Sequence, residues 1–286
     1  MKELKHIGLF VDLSGMDELL LRYIKKLDDV FDFESLTLVH FVAMEELPTD
    51  ISAMLPSLEQ SLEEALEEEL YDLVEKVFGQ KKSTIHVHVY TGGKLDQMID
   101  WVDEQGFDLV LFGKKSWHQG SGIFSSKVVR LTSSNTLFVP ETSHPSFGKL
   151  VLALDFSDYT PRCVEVTEII AGKTGARILP VHVLKVGVQY FPYIGNKSEL
   201  QKGLRKKAET NYHKLQKKTG MDAKMEILED KEVPISMDIY NYAVRQGAHL
   251  IVVGNKGKSD DDDLLIGSVA ERLIAHDKHL PVLVVK

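Results

Sequence analysis

The residues best placed to do chemistry lie in one short stretch. After the apolar run Leu250-Ile251-Val252-Val253 the chain reads Gly254-Asn255-Lys256-Gly257, then nine residues (258–266), then Gly267-Ser268-Val269. Glycine accepts positive φ and lets a ligand come close to the backbone. Ser268 stands where a helix would begin, and the free N–H groups and dipole of a helix start attract phosphate oxygens. A strand, a glycine loop and a Gly-Ser helix start together predict a phosphate cradle. Glycine-rich connections also arise from turn geometry alone, so the loop by itself leaves both readings open. Ser259-Asp260-Asp261-Asp262-Asp263 falls inside the nine-residue segment. Four carboxylates repel a polyphosphate unless Mg²⁺ or Lys256 and Lys258 offset them. Three readings of that run stay open: a solvated loop pointing away, a magnesium-assisting edge, or a mark of lost nucleotide affinity.

Other reactive residues carry less. Gly257-Lys258-Ser259 lacks the earlier glycine that a Walker A loop needs, because Val252 stands there. His86 and His88 share one face of a strand, but no cysteine or carboxylate at ligand spacing completes a metal site. His40 and His182 recur at equivalent strand ends, which points to a shared packing role. Cys163 lies in an apolar helical pattern and reads as a small buried hydrophobe.

The elements that must position these residues come in duplicate. His6-Ile7-Gly8-Leu9-Phe10-Val11-Asp12-Leu13-Ser14 matches Lys149-Leu150-Val151-Leu152-Ala153-Leu154-Asp155-Phe156-Ser157. Leu38 to Val42 matches Pro180 to Leu184, and Phe107 to Gly113 matches Ala248 to Gly254. Each half ends on a β-like run, Thr136 to Val139 and Pro281 to Val285. Four matches in order establish two copies of one unit, 1–143 and 144–286. Continuous apolar runs read as strands buried on both faces, with helical patterns between them. Helices are predicted over 16–28, 96–105, 160–174, 236–246 and 268–276. Two longer ones are predicted with capping boxes, at Ser57/Gln60 running to Gly79 and at Ser198/Gln201 running to Gly220. Strand–helix alternation predicts α/β halves, each a doubly wound parallel sheet that binds ligands beyond the carboxyl ends of its strands.

The spacing Gly-x2-Gly-x9-Gly-Ser, between a buried strand and a helix that leads to a final Pro-Val-Leu-Val-Val strand, is similar to that of nucleotide-binding universal stress proteins. Leu152 to Ser157 and Val181-His182-Val183 resemble that family's first two strand ends. The resemblance spans the whole chain as a tandem pair. It implies two adenine nucleotide alpha hydrolase-like, Rossmann-like domains forming a pseudo-dimer through Leu137-Phe138-Val139 and Val282 to Val285, with a homodimer also open. It further implies that Asp155 and Val183 contact an adenosine, and that Gly254, Gly257, Gly267, Ser268 and Val269 hold the phosphates of ATP or ADP, with or without Mg²⁺. The role implied is stress-response or regulatory. The first half departs from the pattern: Ser116 and Ser125 replace the second and third glycines of Gly113-Lys114-Lys115-Ser116, and Phe41 replaces the smaller Val183. A Cβ is unfavourable where a backbone must approach phosphate, so the first half is read as degenerate. No convincing general base accompanies the glycines, so the chain is not expected to be an efficient enzyme. Slow ATP hydrolysis and a nucleotide-free scaffold remain the alternatives.

Composition agrees with that picture. The 286 residues are 43% hydrophobic and 27% charged, with one cysteine and a formal charge of −9. This excludes a disordered chain and a disulfide scaffold, argues against general nucleic-acid binding, and leaves no stretch for a membrane span. A cytoplasmic, reducing location is expected. The net figure conceals a contrast. The first half has 13 basic and 25 acidic residues, the second 21 and 18. Residues 57–79 hold eight acids and one lysine, while 198–220 hold seven bases and two acids. Two solvated faces of opposite sign and an interface of complementary charge are both consistent with this.

Overall fold

The computed structural model describes residues 4–42, 60–79, 84–91, 95–115, 128–130, 132–185, 197–229, 233–257, 266–276 and 279–286. The chain divides into two compact units, Lys2–Pro145 and Ser146–Lys286. The first contains β1 (His6–Val11), α1 (Gly15–Phe31), β2 (Ser35–Val42), α2 (Leu62–Phe78), β3 (Thr84–Thr91), α3 (Leu95–Gln105), β4 (Leu109–Lys114) and β5 (Asn135–Pro140). The second contains β6 (Lys149–Ala153), α4 (Thr160–Thr174), β7 (Arg177–Leu184), α5 (Lys197–Thr219), β8 (Glu226–Glu229), α6 (Ile235–Gln246), β9 (Leu250–Gly254), α7 (Ser268–His276) and β10 (Val282–Val285).

Strand order follows the same rule in both. Parallel pairing gives β3-β2-β1-β4-β5 in the first unit. It gives β8-β7-β6-β9-β10 in the second. The chain therefore turns back at β1/β4 and at β6/β9, and the crevice outside the carboxyl ends of those pairs is where such sheets take ligands. Five residues of β1 and four of β9 are buried in unbroken runs, which is what a sheet covered on both faces requires. In the first unit Phe10, Phe112 and Phe138 lie in one register across three strands, stacked at 4.6 and 5.6 Å between centroids. Tyr23, Leu20, Leu21 and Ile24 of α1 are completely buried.

Two helix starts differ from the sequence reading. The cap of α2 is Ser61, whose hydroxyl accepts from Glu64 N at 3.2 Å while the Glu64 carboxylate accepts from Ser61 N at 3.0 Å. Gln60 precedes this helix, and Ser57 lies outside the described residues. The sequence offers two successive boxes here, and the charged Glu64 accepts the N–H bond better than a neutral amide. Ser198 is already inside the first turn of α5, which begins at Lys197. Helices α4 and α7 span the residues that their apolar periodicity predicts. Among the described residues no helix is long and apolar enough to cross a membrane.

Candidate nucleotide site

In the second unit the site grows from the carboxyl ends of β6 and β9. Leu152 pairs with Val252, and Asp155 and Asn255 each follow three residues after that pair on neighbouring chain segments. On the other side Ala153 pairs with Val181, and the bond from Leu154 N to Val181 O (2.8 Å) continues the ladder toward Val183. Asp155 thus lies two residues past β6, Val183 is the penultimate residue of the adjacent β7, and Val183 is buried. The start of α7 is tied to the same point, because Gly267 N donates to Asn255 O at 2.6 Å. Gly267 O in turn accepts from Glu271 N at 3.0 Å, so Gly267 caps α7, and the first-turn amides of Ser268 and Val269 point out of the helix. Gly257 is half-buried in the loop after β9. Asp260 to Asp263 and Lys258 lie outside the described residues.

Asp155 is held by its neighbours. Its Oδ1 accepts from Ser157 N at 3.0 Å and from Thr160 Oγ1 at 2.9 Å. The first of these is an Asx-type turn. It surrounds Phe156, which sits at φ 59°. Leu13, the counterpart of Phe156, sits at φ 57°. A left-handed residue other than glycine costs about 1 kcal/mol or more, and the duplicated unit retains it twice at the same strand end.

The histidines play one structural role in both halves. His182 Nδ1 donates to Leu154 O at 2.7 Å and His40 Nδ1 donates to Val11 O at 3.0 Å, in each case to the residue before the strand-end aspartate. A carbonyl can only accept, so the neutral ring carries its proton on Nδ1. Burial lowers the His182 pKa, against the opposing pull of the Leu154 carbonyl and Asp155.

Gly254 has a packing reason to be glycine. A Cβ there would lie 3.2 Å from Tyr159 Cβ and 3.4 Å from Cys163 Sγ on α4. Gly113, its counterpart, faces α1 in the same way, with Met16 Cγ at 2.7 Å from the added Cβ. Cys163 is buried and its thiol is pushed up to about 12 by burial, then by Asp155, which suits a packing residue.

The equivalent crevice in the first unit is arranged differently. Asp12 Oδ2 accepts from Lys115 Nζ at 2.6 Å, and Asp12 Oδ1 accepts from Ser14 Oγ at 2.6 Å. Where the second unit has Thr160, the first has Asp17, a buried carboxylate that accepts from the backbone N–H groups of Asp12 and Ser14 at 3.2 Å. Phe41 stacks on Tyr90 at 6.0 Å. Ser116, Ser125 and Ser126 lie outside the described residues. His88 stacks on Trp101 at 4.3 Å. Among the described residues no group of three or more His, Cys, Asp or Glu could hold a metal ion.

Thr160, Asn255 and Tyr159 were not singled out by motif. Thr160 and Asp17 stand five residues after their aspartates, a repeat offset that comparison of the two halves could have exposed. Asn255 is buried at the junction of β9, β10 and α7, its N–H on Val285 O at 2.8 Å.

The model of the universal stress protein family matches residues 3–140 and 146–286. A universal stress protein of Methanocaldococcus jannaschii is 32% identical over 148 residues, covering 49% of this chain and 82% of that protein. The crystal structure of a universal stress protein from Archaeoglobus fulgidus aligns with a TM-score of 0.66 at 18% identity, over 99% of this chain and 97% of that one. A functionally unknown protein from Pseudomonas aeruginosa aligns with a TM-score of 0.67 at 17% identity, over 99% and 92%. At those identities the structural matches speak for the fold.

Proposed function

The chain belongs to the universal stress protein family in both of its halves, and from that premise we propose that it is a cytoplasmic stress-response regulator that binds ATP or ADP in its C-terminal half without efficient turnover. The observation that carries this reading is the convergence of Asp155, the loop after Gly254 and the start of α7 at the β6/β9 switch point. There the outward amides of Ser268 and Val269 suit phosphate oxygens, and Asp155 with the buried Val183 suits a nucleoside. A bound nucleotide would bring polyphosphate charge, with Mg²⁺ as its counter-ion. The protein's part is to orient it, Asp155 held in place by Ser157 and Thr160.

A nucleotide-free scaffold is the second reading, and two observations favour it. Gly254 is explained by packing on α4, and the Gly267 N–H is already donated to Asn255. Melting the protein with and without Mg-ATP separates the two readings. A ligand at about 100 times its Kd adds about 2.7 kcal/mol to the native state, a rise of several degrees. Gly267→Val is expected to remove that rise. An unchanged melting temperature at millimolar Mg-ATP would leave the scaffold.

A further inference from the structure

Helices α2 and α5 are the same element of the repeated unit, each following the second strand and preceding the third. They have opposite charge. Helix α2 has seven acidic residues against Lys76, and α5 has eight basic residues against Glu199 and Glu209. Both bury an apolar side, Leu70, Val74 and Val77 on α2 and Ala208, Tyr212 and Leu215 on α5. The charges stand on the other side. On α2 the exposed positions Glu64, Glu68, Tyr71 and Glu75 recur at helical spacing, with Asp72 beside them. On α5 the exposed Lys207, Lys214 and Lys218 form a matching row, with Lys202, Lys206 and Lys217 next to it.

Among the described residues local pairing does not absorb these rows. Lys76 turns to Glu18 of α1 at 2.7 Å, and Arg205 to Glu229 of β8 at 3.2 Å. Tyr71 is 44% exposed in the middle of the acidic row. An aromatic ring with a carboxylate rim is what a lysine-rich surface binds by ion pairing and cation–π contact together.

We propose that the acidic face of α2 docks on the basic face of α5 of a second copy of this chain. In a twofold dimer this contact is made twice, the α2 of each chain meeting the α5 of the other. Complementary charge then sets the register and speeds the encounter, and makes the dimer depend on ionic strength.

Sedimentation velocity of the full chain tests this. At about 25 mM NaCl the Debye length is roughly 20 Å, and at about 500 mM it is roughly 4 Å. A dimer is expected at low salt, with at least a tenfold weaker association at high salt. Reversing α2 (Glu68→Lys with Asp72→Lys) or α5 (Lys207→Glu with Lys214→Glu) is expected to give monomers at low salt. Mixing the two variants, or combining all four substitutions in one chain, is expected to restore the dimer, which separates lost docking from lost folding. Monomers of the unaltered chain at low salt, a dimer indifferent to salt and to both reversals, or a failure of the mixed variants to associate would each overturn the proposal. So would monomers whose α5 face binds heparin in a way that its reversal abolishes.

Discussion

Lys115 Nζ lies 2.6 Å from Asp12 Oδ2, an ion pair between residues 103 apart that closes the β1/β4 switch point of the first unit. The aspartate at the matching place in the second unit is held instead by Ser157 and Thr160. Two copies of one fold have thus settled the same carboxylate in different ways. In the first, a lysine ammonium stands against it.

The Asp12 pKa follows from this setting. Burial opposes its charge, but the hydrogen bonds from Lys115 and Ser14, with the charge of Lys115, outweigh burial and lower the pKa. The stability it contributes is present above the ordinary aspartate range and is lost as pH falls through the lowered value. With the two side chains 26% and 39% exposed, Lys115→Met is expected to cost only about 0.5 kcal/mol. Trp101 and Trp117 both belong to the first half, so tryptophan fluorescence in urea reads this unit. A cost that is as large at high salt as at low salt would refute the ion-pair origin.

Asp17 predicts a pH dependence of opposite sense. Burial, the largest influence, and then the charge of Asp12 raise its pKa to about 6, against the backbone N–H bonds that it accepts. A carboxyl whose folded pKa lies above its unfolded one binds more protons in the folded state between those values. Stability therefore rises as pH falls through about 6. Between pH 7 and pH 5 the gain from this group is about 1 kcal/mol. His88, lowered by burial, pulls the other way in the same unit, so the test is a difference. Unfolding of the unaltered chain and of Asp17→Asn, followed by tryptophan fluorescence at both pH values, should differ in slope by that amount. Equal slopes would show that Asp17 titrates normally.

Substitution should show whether the glycines of the loop divide into two kinds, one serving packing and one the ligand. Gly254→Ala places a Cβ 3.2 Å from Tyr159 Cβ, an atom anchored to the backbone of the α4 start. A loss of about 1–2 kcal/mol in the stability of the second unit is expected, with the Mg-ATP-induced rise in melting temperature retained. Gly267→Val is expected to abolish that rise, in addition to the cost of a β-branched residue at the α7 cap. If Gly254→Ala abolished the rise while leaving the unliganded melting temperature unchanged, the first glycine would belong to the ligand after all.

Much of this was legible in the sequence. Unbroken apolar runs and helical spacing reveal strands and helices because burial imposes those periods, and the repeat of Asp12 and Asp155 with their histidines marks both switch points. What escaped has three physical origins. Lys115 meets Asp12 only because β1 and β4 become neighbours, and no local pattern encodes a partner 103 residues away. The packing of Gly254 on α4 carries no local signal, because a missing Cβ serves helix packing and ligand approach alike. Ser61 replaces Ser57 as the described cap because the stretch offers two hydroxyls, each followed three residues later by an acceptor.

His182 supplies the last prediction, and its sign opposes that of Asp17. Burial lowers its pKa, while the Leu154 carbonyl and Asp155 raise it in part. A base whose folded pKa is depressed binds fewer protons folded than unfolded. Its contribution is intact above the ordinary histidine value and is lost as pH falls below it. The ring also joins β7 to the strand end that presents Asp155, through Leu154 O at 2.7 Å. Acidification should therefore loosen that junction in the second unit while it tightens the first unit around Asp17. Hydrogen exchange of peptides covering 150–156 and 178–184, corrected for intrinsic rates, should show protection falling from pH 7.5 to pH 5.5. His182→Gln keeps an amide donor but does not titrate, so its protection should be lower at pH 7.5 and nearly flat below it. An unaltered chain that stays equally protected across the range would mean that protonated His182 is accommodated, and that Asp155 neutralises it in place.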